Sequence, residues 1–259
     1  MNAILNFLKG MIDSWGIFGW AFDIGLVFAA FESVIYIVFK LPKDIKEGVM
    51  GREAYIGDKY EKRVKKKLEN AFNTDILRGL LLPNEHVEGG KTEADLVFVN
   101  TKGVFCIECK CREAGKYVMS FFDEGISIIN LRNPFKQNKA HITAINNILS
   151  NSEVPVYNVF CMNSPVTVLY LMDKYSTEER NGSYYIPREK AFFIHIPTAN
   201  DRVPIYNGIK TFKKLCKGLP DVYSKEDVKK VFTELKKYQA TKLEHYEFEE
   251  AQKARYGNN

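Results

Sequence analysis

The most apolar stretch of the chain lies near its start, between Trp15 and Phe39. Of these 25 residues, 19 are apolar, three are Gly and three are polar. As a helix the stretch would be about 37 Å long, which exceeds the hydrocarbon thickness of a bilayer. Apolar side chains occur on every face, so this is not the pattern of an amphipathic surface helix. We therefore predict a transmembrane helix, and the alternative is a helix buried inside a domain.

Charges that flank this stretch predict its orientation in a membrane. Four basic residues follow it and one precedes it: Lys40, Lys43, Lys46 and Arg52 against Lys9. Because basic residues favour the cytoplasmic side, we predict a single-pass protein whose residues 15–39 contact membrane lipid and whose remainder is cytoplasmic. Gly25 and Ala29 form a small-x-x-x-small pair, a pattern that permits two such helices to associate into a homo-oligomer.

Beyond a linker that contains Pro42 and Gly48, helical and strand patterns alternate. The apolar spacing predicts a first helix over residues 52–72, and an Asn-Pro pair and a Ser-x-x-Asp pair predict the starts of two more. These helices would cover residues 133–149 and 224–254. Strands are predicted at 76–82, 93–99, 104–111, 117–122, 125–131, 154–162, 166–171 and 191–196. The alternation predicts an α/β domain with a mixed sheet flanked by helices.

Composition and charge exclude several classes of protein. The 37 Lys and Arg residues against 32 Asp and Glu give a net charge of +5, too little for a histone-like polycation. Five Cys residues are too few for a disulfide scaffold. The predicted first helix carries a basic run from Lys62 to Lys67. This run is either a solvated helix face or a stripe that attracts phosphate groups.

Two β-rich runs separated by a short turn that ends in Gly103 predict a hairpin over residues 93–111. Strand alternation places Asp95 on one face of the first strand, and Glu108 and Lys110 on one face of the second. If these faces coincide, two carboxylates and one ammonium meet at one end of the sheet. A solvated hairpin face with an ion pair is the alternative.

Such a cluster has the chemistry of a divalent-metal site. Mg²⁺ prefers one or two carboxylates together with water and phosphate oxygens, so Asp95 and Glu108 are candidate ligands for Mg²⁺ or Mn²⁺. The main-chain carbonyl of Cys109 is a candidate third oxygen. The ammonium of Lys110 would orient a water molecule or stabilise charge on a phosphate in the transition state.

Cysteine and histidine residues offer other sites. Cys106, Cys109 and Cys111 suggest zinc, but alternation separates the first from the other two, and a tetrahedral site would need a distant partner. We therefore expect core thiols. His141 follows Gln137 by one helical turn and either faces the active site or lies at the edge of the core. His195 lies in an apolar strand and is expected in the core.

Four segments in order resemble the nuclease-related domain (NERD) family of the PD-(D/E)XK nuclease superfamily: Gly57 with Glu61, Glu93-Ala94-Asp95, Gly103–Lys110, and Asn133-Pro134-Phe135-Lys136-Gln137. The resemblance covers about residues 52–150. It implies a restriction-endonuclease-like fold and metal-dependent hydrolysis of phosphodiester bonds, with DNA preferred over RNA. Asp95 and Glu108 would bind the metal, and Lys110 would be the catalytic lysine.

The same resemblance implies roles for two further residues. Glu61 would help to position the metal or water, and Gln137 would contact the substrate or complete the metal shell. The stretch Glu93-Ala94-Asp95-Leu96 departs from the family, which commonly has an amide and Ile before the Asp and His after it.

These observations predict a membrane-anchored, metal-dependent endonuclease, with defence against foreign DNA as a hypothesis for its role. Its predicted parts are a membrane anchor (1–41), a basic linker (42–51), a NERD-like nuclease domain (52–222) and a charged C-terminal helix (223–259). Two alternatives remain. One is a catalytically inactive NERD-fold protein that binds nucleic acid, and the other is a membrane scaffold whose C-terminal helix contacts a protein partner.

Overall fold

The structure is a computed structural model of the chain. It describes residues 27–34, 52–85, 90–112, 117–122, 125–129, 133–150, 154–164, 166–170, 178–180, 183–196 and 208–256, together with positions 6, 9, 10 and 131. The chain divides into two compact units, residues 1–56 and 57–259.

Residues 27–34 of the first unit are helical. Their large apolar side chains are 52% to 65% exposed: Val27, Phe28, Phe31 and Val34. The other positions of the predicted membrane segment, 15–26 and 35–39, lie outside the described residues. Within the part of the chain that the structure describes, no helix has both the length and the apolar character needed to cross a bilayer.

From residue 52 onward the described chain forms five α-helices and ten strands. In chain order they are α1 (Arg52–Phe72), β1 (Leu77–Pro83), β2 (Lys91–Asn100), β3 (Gly103–Lys110), β4 (Tyr117–Phe122), β5 (Gly125–Ile129), α2 (Pro134–Leu149), β6 (Val156–Met162), β7 (Val166–Tyr170), β8 (Glu178–Arg180), β9 (Ser183–Ile186), β10 (Ala191–His195), α3 (Gly208–Lys217), α4 (Lys225–Lys236) and α5 (Lys242–Tyr256).

Seven strands form the main sheet, in the order β1-β2-β3-β6-β10-β9-β8. β3, β6 and β10 are parallel, whereas β1-β2-β3 and β10-β9-β8 are antiparallel, so the predicted mixed sheet is confirmed. A smaller sheet has the order β5-β4-β7. The parallel strands β3, β6 and β10 all end at one edge of the main sheet. The residues with predicted catalytic roles belong to the ends of these strands and their neighbours, so we call this the catalytic edge.

Helices cover both faces of the main sheet, as the apolar pattern predicts. On one face, α1 and α3 bury Leu68 and Phe212 against Phe105 of β3. On the other face, α2 and α4 bury Ile145 and Leu235 against the opposite sides of β2 and β3. The strands of the centre are therefore apolar on both faces, which is typical of a strand that is covered on both sides.

The predicted hairpin of β2 and β3 is confirmed. Its turn begins at Asn100, whose side-chain oxygen accepts a hydrogen bond from the N–H of Lys102 (2.8 Å). Gly103 ends the turn at a φ of 135°, and an added Cβ there would overlap the carbonyl oxygen of Pro155. Glycine is therefore the residue that this position accommodates, because it lacks a Cβ.

Both predicted helix starts are confirmed, but the length of the C-terminal helix is corrected. Asn133 caps α2, and Ser224 forms a capping box with Asp227 at the start of α4. The sequence predicts one helix to about residue 254, whereas α4 ends at Lys236 and five residues separate it from Lys242, where α5 begins. The break arises because residues 238–240 exchange main-chain hydrogen bonds with β1 and so pair alongside this outermost strand of the sheet.

A buried polar network attaches α2 to the sheet. The side-chain amide of Asn138 donates to the carbonyl of Cys106 (2.8 Å) and to the side-chain oxygen of Asn158 (2.9 Å). Asn158 in turn donates to the carbonyl of Phe135 (2.8 Å). Because buried polar groups are costly without partners, this network fixes the position of α2 against β3 and β6.

Replacing Asn138 with Ala should lower the free energy of unfolding by about 2–3 kcal/mol, because it leaves a cavity and removes a donor from buried oxygens. The measurement is urea unfolding of the full chain followed by circular dichroism. Asn147→Ala, at an exposed position of the same helix, is the control and should change the free energy by less than about 0.5 kcal/mol. Equal effects of the two substitutions would contradict the network's role.

Candidate functional site

The hairpin brings the two predicted metal ligands to the catalytic edge. Leu96 pairs with Ile107 and Val97 with Cys106, so the register places Asp95 opposite Glu108. Asp95 lies just beyond the paired part of the hairpin, where its carboxylate accepts a hydrogen bond from the N–H of Cys109 (2.7 Å). This hydrogen bond holds Asp95 against the end of β3.

Glu108 is the most buried carboxylate of this cluster, with 1% of its side chain exposed. Its Oε1 lies 2.5 Å from the Nζ of Lys110, and its Oε2 lies 3.6 Å from the Nε2 of His141. Beyond these two neighbours, no described residue gives either oxygen a hydrogen bond of good geometry. Burial raises the pKa of Glu108, but His141 and Lys110 outweigh it and hold that pKa below its ordinary value.

The pKa of Asp95 is shifted in the opposite direction from that of Glu108. Loss of hydration raises the pKa of Asp95 well above its ordinary value, and the negative charges of Glu108 and Glu61 raise it further. Lys110 and the Cys109 N–H act against this rise without cancelling it. Burial and the neighbouring carboxylates therefore disfavour ionisation of Asp95.

The amine of Lys110 remains protonated in this setting. Burial lowers the pKa of Lys110, but the nearby carboxylates of Glu108 and Asp95 raise it above its ordinary value overall. An ammonium is a hydrogen-bond donor and a positive charge, not a base. Both roles that the sequence allows for Lys110, orientation of a water molecule and stabilisation of phosphate charge, stay predictions.

Glu61 points to the same edge from α1 but is held by Arg78 of β1. The guanidinium of Arg78 donates to Glu61 through Nε (3.2 Å) and Nη2 (2.9 Å), and to Asp58 (2.6 Å). Burial raises the pKa of Glu61, although Arg78 acts against it. The predicted role of Glu61 in positioning metal or water stays a prediction. Arg78 was not expected from the sequence, because nothing in β1 marks its partners on α1.

Helix α2 adds a buried histidine to the site. His141 is 4% exposed, and its Nδ1 lies 2.7 Å from the hydroxyl of Thr92 on β2. Its Nε2 faces Glu108, so Thr92, His141 and Glu108 form a line from β2 to β3. The half-buried Gln137 lies one turn earlier on α2, and its predicted contact with substrate or metal stays a prediction. His141 thus faces the predicted metal ligand Glu108, and its role in an active site stays a prediction.

The cysteines and His195 belong to the core. Cys106, Cys109, Cys161 and Cys216 are buried free thiols, and Cys111 is partly exposed. Among the described residues, no three His, Cys, Asp or Glu side chains are placed to hold a metal ion together, which gives no support to a zinc site. Any divalent cation would therefore need main-chain, water or substrate oxygens besides its carboxylates. His195 is 2% exposed, as predicted, and its Nε2 lies 2.9 Å from the carbonyl of Asn163.

The charges of the cluster fit a hard divalent cation. Four carboxylates lie with three cationic side chains, a net charge of −1 when all are ionised: Asp58, Glu61, Asp95 and Glu108 with Lys62, Arg78 and Lys110. Carboxylate oxygens are the side-chain ligands that Mg²⁺ and Mn²⁺ prefer. The two carboxylates that would hold the ion are Asp95 and Glu108, and the carbonyl of Cys109 stays a predicted third ligand.

The C-terminal helix also contacts β2 close to the site. The Nδ1 of His245 on α5 lies 3.0 Å from the carboxylate of Glu93, and its Nε2 lies 3.4 Å from Glu249. The hydrogen bond to Glu93 raises the pKa of His245 above its ordinary value, although partial burial acts against this. Glu93, one of the three residues that depart from the pattern of the family it resembles, thus contacts α5.

Stability from this contact should decrease as pH rises. Because the pKa of His245 is raised in the folded state, its contribution is complete below the unfolded value of about 6.5 and is lost above the folded value. His245 is 40% exposed, so we expect less than about 1 kcal/mol. The measurement compares the unfolding free energies of the wild type and His245→Gln at acidic and alkaline pH. A difference that does not shrink toward alkaline pH would contradict this assignment.

The matched segment of the chain contains all the residues of this site. Residues 56–163 match the family model of the nuclease-related domain, NERD. No curated protein and no solved structure matched the chain. The NERD segment extends from α1 to the end of β6 and includes Glu61, Asp95, Glu108, Lys110 and Gln137. The match indicates a nuclease-related function, and α3, α4 and α5 lie outside it.

Proposed function

We propose that the protein is a metal-dependent nuclease that hydrolyses phosphodiester bonds, with DNA as its substrate. One observation carries the proposal: within the NERD segment, the hairpin brings Asp95, Glu108 and Lys110 together at one edge of the sheet. This arrangement of two carboxylates and one ammonium is also the one that the resemblance to PD-(D/E)XK nucleases implies. DNA is preferred over RNA on that resemblance alone.

Asp95 and Glu108 would hold Mg²⁺ or Mn²⁺, which would supply positive charge at the scissile phosphate and acidify a water molecule there. The chain itself contributes fixed charges and orientation. Lys110, a protonated donor at 2.5 Å from Glu108, would donate a hydrogen bond to a phosphate oxygen and stabilise the charge that develops on it. Arg78 keeps Glu61 and Asp58 of α1 in place beside the predicted metal ligands.

Membrane anchoring through residues 15–39 is part of the same proposal. Its support is the apolar composition of the segment and the exposure of Val27, Phe28, Phe31 and Val34. A large exposed apolar helix face is typical of a surface that contacts lipid or another apolar partner. The nuclease domain would then lie on the cytoplasmic side, where it would meet foreign DNA that enters the cell. The anchor is tested by fractionation of cells that contain the full chain. If the anchor exists, the chain stays in the membrane fraction after a wash with alkaline carbonate.

A plasmid assay tests the activity. The full chain is incubated with supercoiled plasmid in Mg²⁺, in Mn²⁺ and in EDTA, beside the Glu108→Gln variant and a parallel reaction on RNA. Conversion to nicked or linear plasmid in either metal, absent in EDTA and in the variant, supports the proposal. Equal cleavage by the wild type and the variant indicates a contaminant. Absence of cleavage and of metal binding by calorimetry, with DNA binding intact, indicates an inactive nucleic-acid-binding protein instead.

A further inference from the structure

Helix α3 presents a continuous basic surface to solvent. Its four lysines follow the spacing i, i+3, i+4, i+7 and are all exposed: Lys210, Lys213, Lys214 and Lys217. The other side of the helix is buried through Ile209, Phe212, Leu215 and Cys216. No acidic residue occurs in α3. The helix therefore has one apolar side against the sheet and one side that carries lysines alone among its charged residues.

Helix α1 adds a second basic surface. It carries seven basic and four acidic residues, and two of those acids, Asp58 and Glu61, are bound by Arg78. Together α1 and α3 have a net charge of +7, whereas the whole chain has +5. The remainder of the protein is thus net negative, and the positive charge is concentrated on these two helices.

The two basic surfaces are adjacent. The Nζ of Lys213 donates to the carbonyl of Ala71 at the end of α1 and lies 6.0 Å from the ring of Phe72. The rings of Phe72 and Phe212 are 5.5 Å apart. Both helices pack on the same face of the main sheet. We call the joint surface the α1–α3 face: Lys59, Lys62, Arg63, Lys66, Lys67, Lys210, Lys213, Lys214 and Lys217.

Both helices approach the catalytic edge. The hydroxyl of Tyr60 on α1 donates to the carbonyl of Ile196, the residue that follows β10 (3.1 Å). Gly208, the first residue of α3, lies so close to the carbonyl of His195 that a Cβ would overlap it. Because β10 ends at the same edge as β3, the α1–α3 face extends away from the edge that holds Asp95 and Glu108.

We propose that the α1–α3 face binds the sugar–phosphate backbone of duplex DNA whose scissile phosphate lies at the catalytic edge. The inference rests on the proposed function and adds to it the path of the substrate. Lysines on a helix surface neutralise phosphates without reading sequence, so binding here is sequence-independent and weakens with salt. Proximity to the catalytic edge favours the substrate over an anionic membrane surface, which would require no such relation to Asp95 and Glu108.

The other helical layer supplies a matched control. Helix α4 has four basic and three acidic residues, a net charge of +1, and packs on the opposite face of the sheet. Lys225, Lys229 and Lys230 on α4 are exposed, as are Lys66, Lys214 and Lys217 on the α1–α3 face. Two triple variants, each with three Lys→Gln substitutions, therefore remove the same charge from opposite sides of one protein. Lys213 is left intact because it contacts α1.

The experiment measures binding of the full chain to a fluorescent duplex by anisotropy, in EDTA and over a range of salt concentrations. Each lost phosphate contact should reduce the slope of log Kobs against log salt by about 0.9, so Lys66→Gln/Lys214→Gln/Lys217→Gln should reduce it by about 2–3. Lys225→Gln/Lys229→Gln/Lys230→Gln should leave the slope unchanged. Equal slopes for both triple variants and the wild type would overturn the proposal.

Two further measurements distinguish this proposal from failure of the nuclease proposal and from binding to an anionic membrane. If the wild-type protein never cleaves plasmid but both triple variants show the predicted slopes, the α1–α3 face is retained and only the nuclease assignment is lost. The same variants are tested on vesicles that contain phosphatidylserine. If Lys66→Gln/Lys214→Gln/Lys217→Gln loses vesicle binding while its salt slope for DNA binding is unchanged, the α1–α3 face binds an anionic membrane and the proposal is wrong.

Discussion

Replacing Glu108 with Gln is expected to lower metal-dependent plasmid cleavage by about three orders of magnitude, which corresponds to about 4 kcal/mol of transition-state stabilisation. The substitution keeps the size of the side chain but removes its negative charge. This side chain is 1% exposed and lies beside Lys110. A neutral amide is a far weaker ligand for a hard divalent cation than a carboxylate. The initial rate of nicking at saturating Mg²⁺ is the measurement, and thermal unfolding shows whether the variant folds.

Glu226→Gln is the matched control, because Glu226 is an exposed residue in the first turn of α4 on the other layer of the protein. Its cleavage rate should equal that of the wild type. A Glu108→Gln protein that folds and retains more than about a tenth of the wild-type rate would show that this carboxylate does not bind an essential metal.

The sequence predicted the hairpin and the meeting of its charged residues because both depend on short-range rules. A turn of a few residues determines which positions of β2 and β3 face each other, and alternation determines which side chains share a face. The register of the hairpin therefore places Asp95 opposite Glu108. The same applies to the caps at Asn133 and Ser224, whose partners lie three residues away.

The contacts that the sequence did not reveal join distant parts of the chain. Arg78 binds Glu61 across 17 positions, Thr92 meets His141 across 49, and the pair of Glu93 and His245 is formed by β2 and the last helix. No spacing rule connects such residues, since packing of whole helices on the sheet brings them together. The break between α4 and α5 has the same cause, because pairing with β1 outweighs local helix propensity.

Those long-range contacts decide how well the carboxylates are oriented. A carboxylate that binds a metal keeps one orientation only if neighbouring groups hold it. Removing such a neighbour typically lowers metal affinity or activity by about 10- to 100-fold. His141 is the buried neighbour of Glu108 on α2, and Thr92 is the hydrogen-bond partner of that histidine. When the Thr92 hydroxyl donates to Nδ1, the ring proton lies on Nε2 and points toward Glu108.

Thr92→Val should therefore raise the Mg²⁺ concentration for half-maximal cleavage by about 10-fold, because it removes the hydroxyl but keeps the shape of the side chain and suits a strand. His141→Phe should raise it by up to about 100-fold. Thr92→Ser, which retains the hydroxyl, should restore the wild-type Mg²⁺ dependence. A purely structural role would lower the melting temperature without moving the Mg²⁺ dependence. If Thr92→Ser behaves like Thr92→Val, the hydroxyl is not what positions His141 against Glu108.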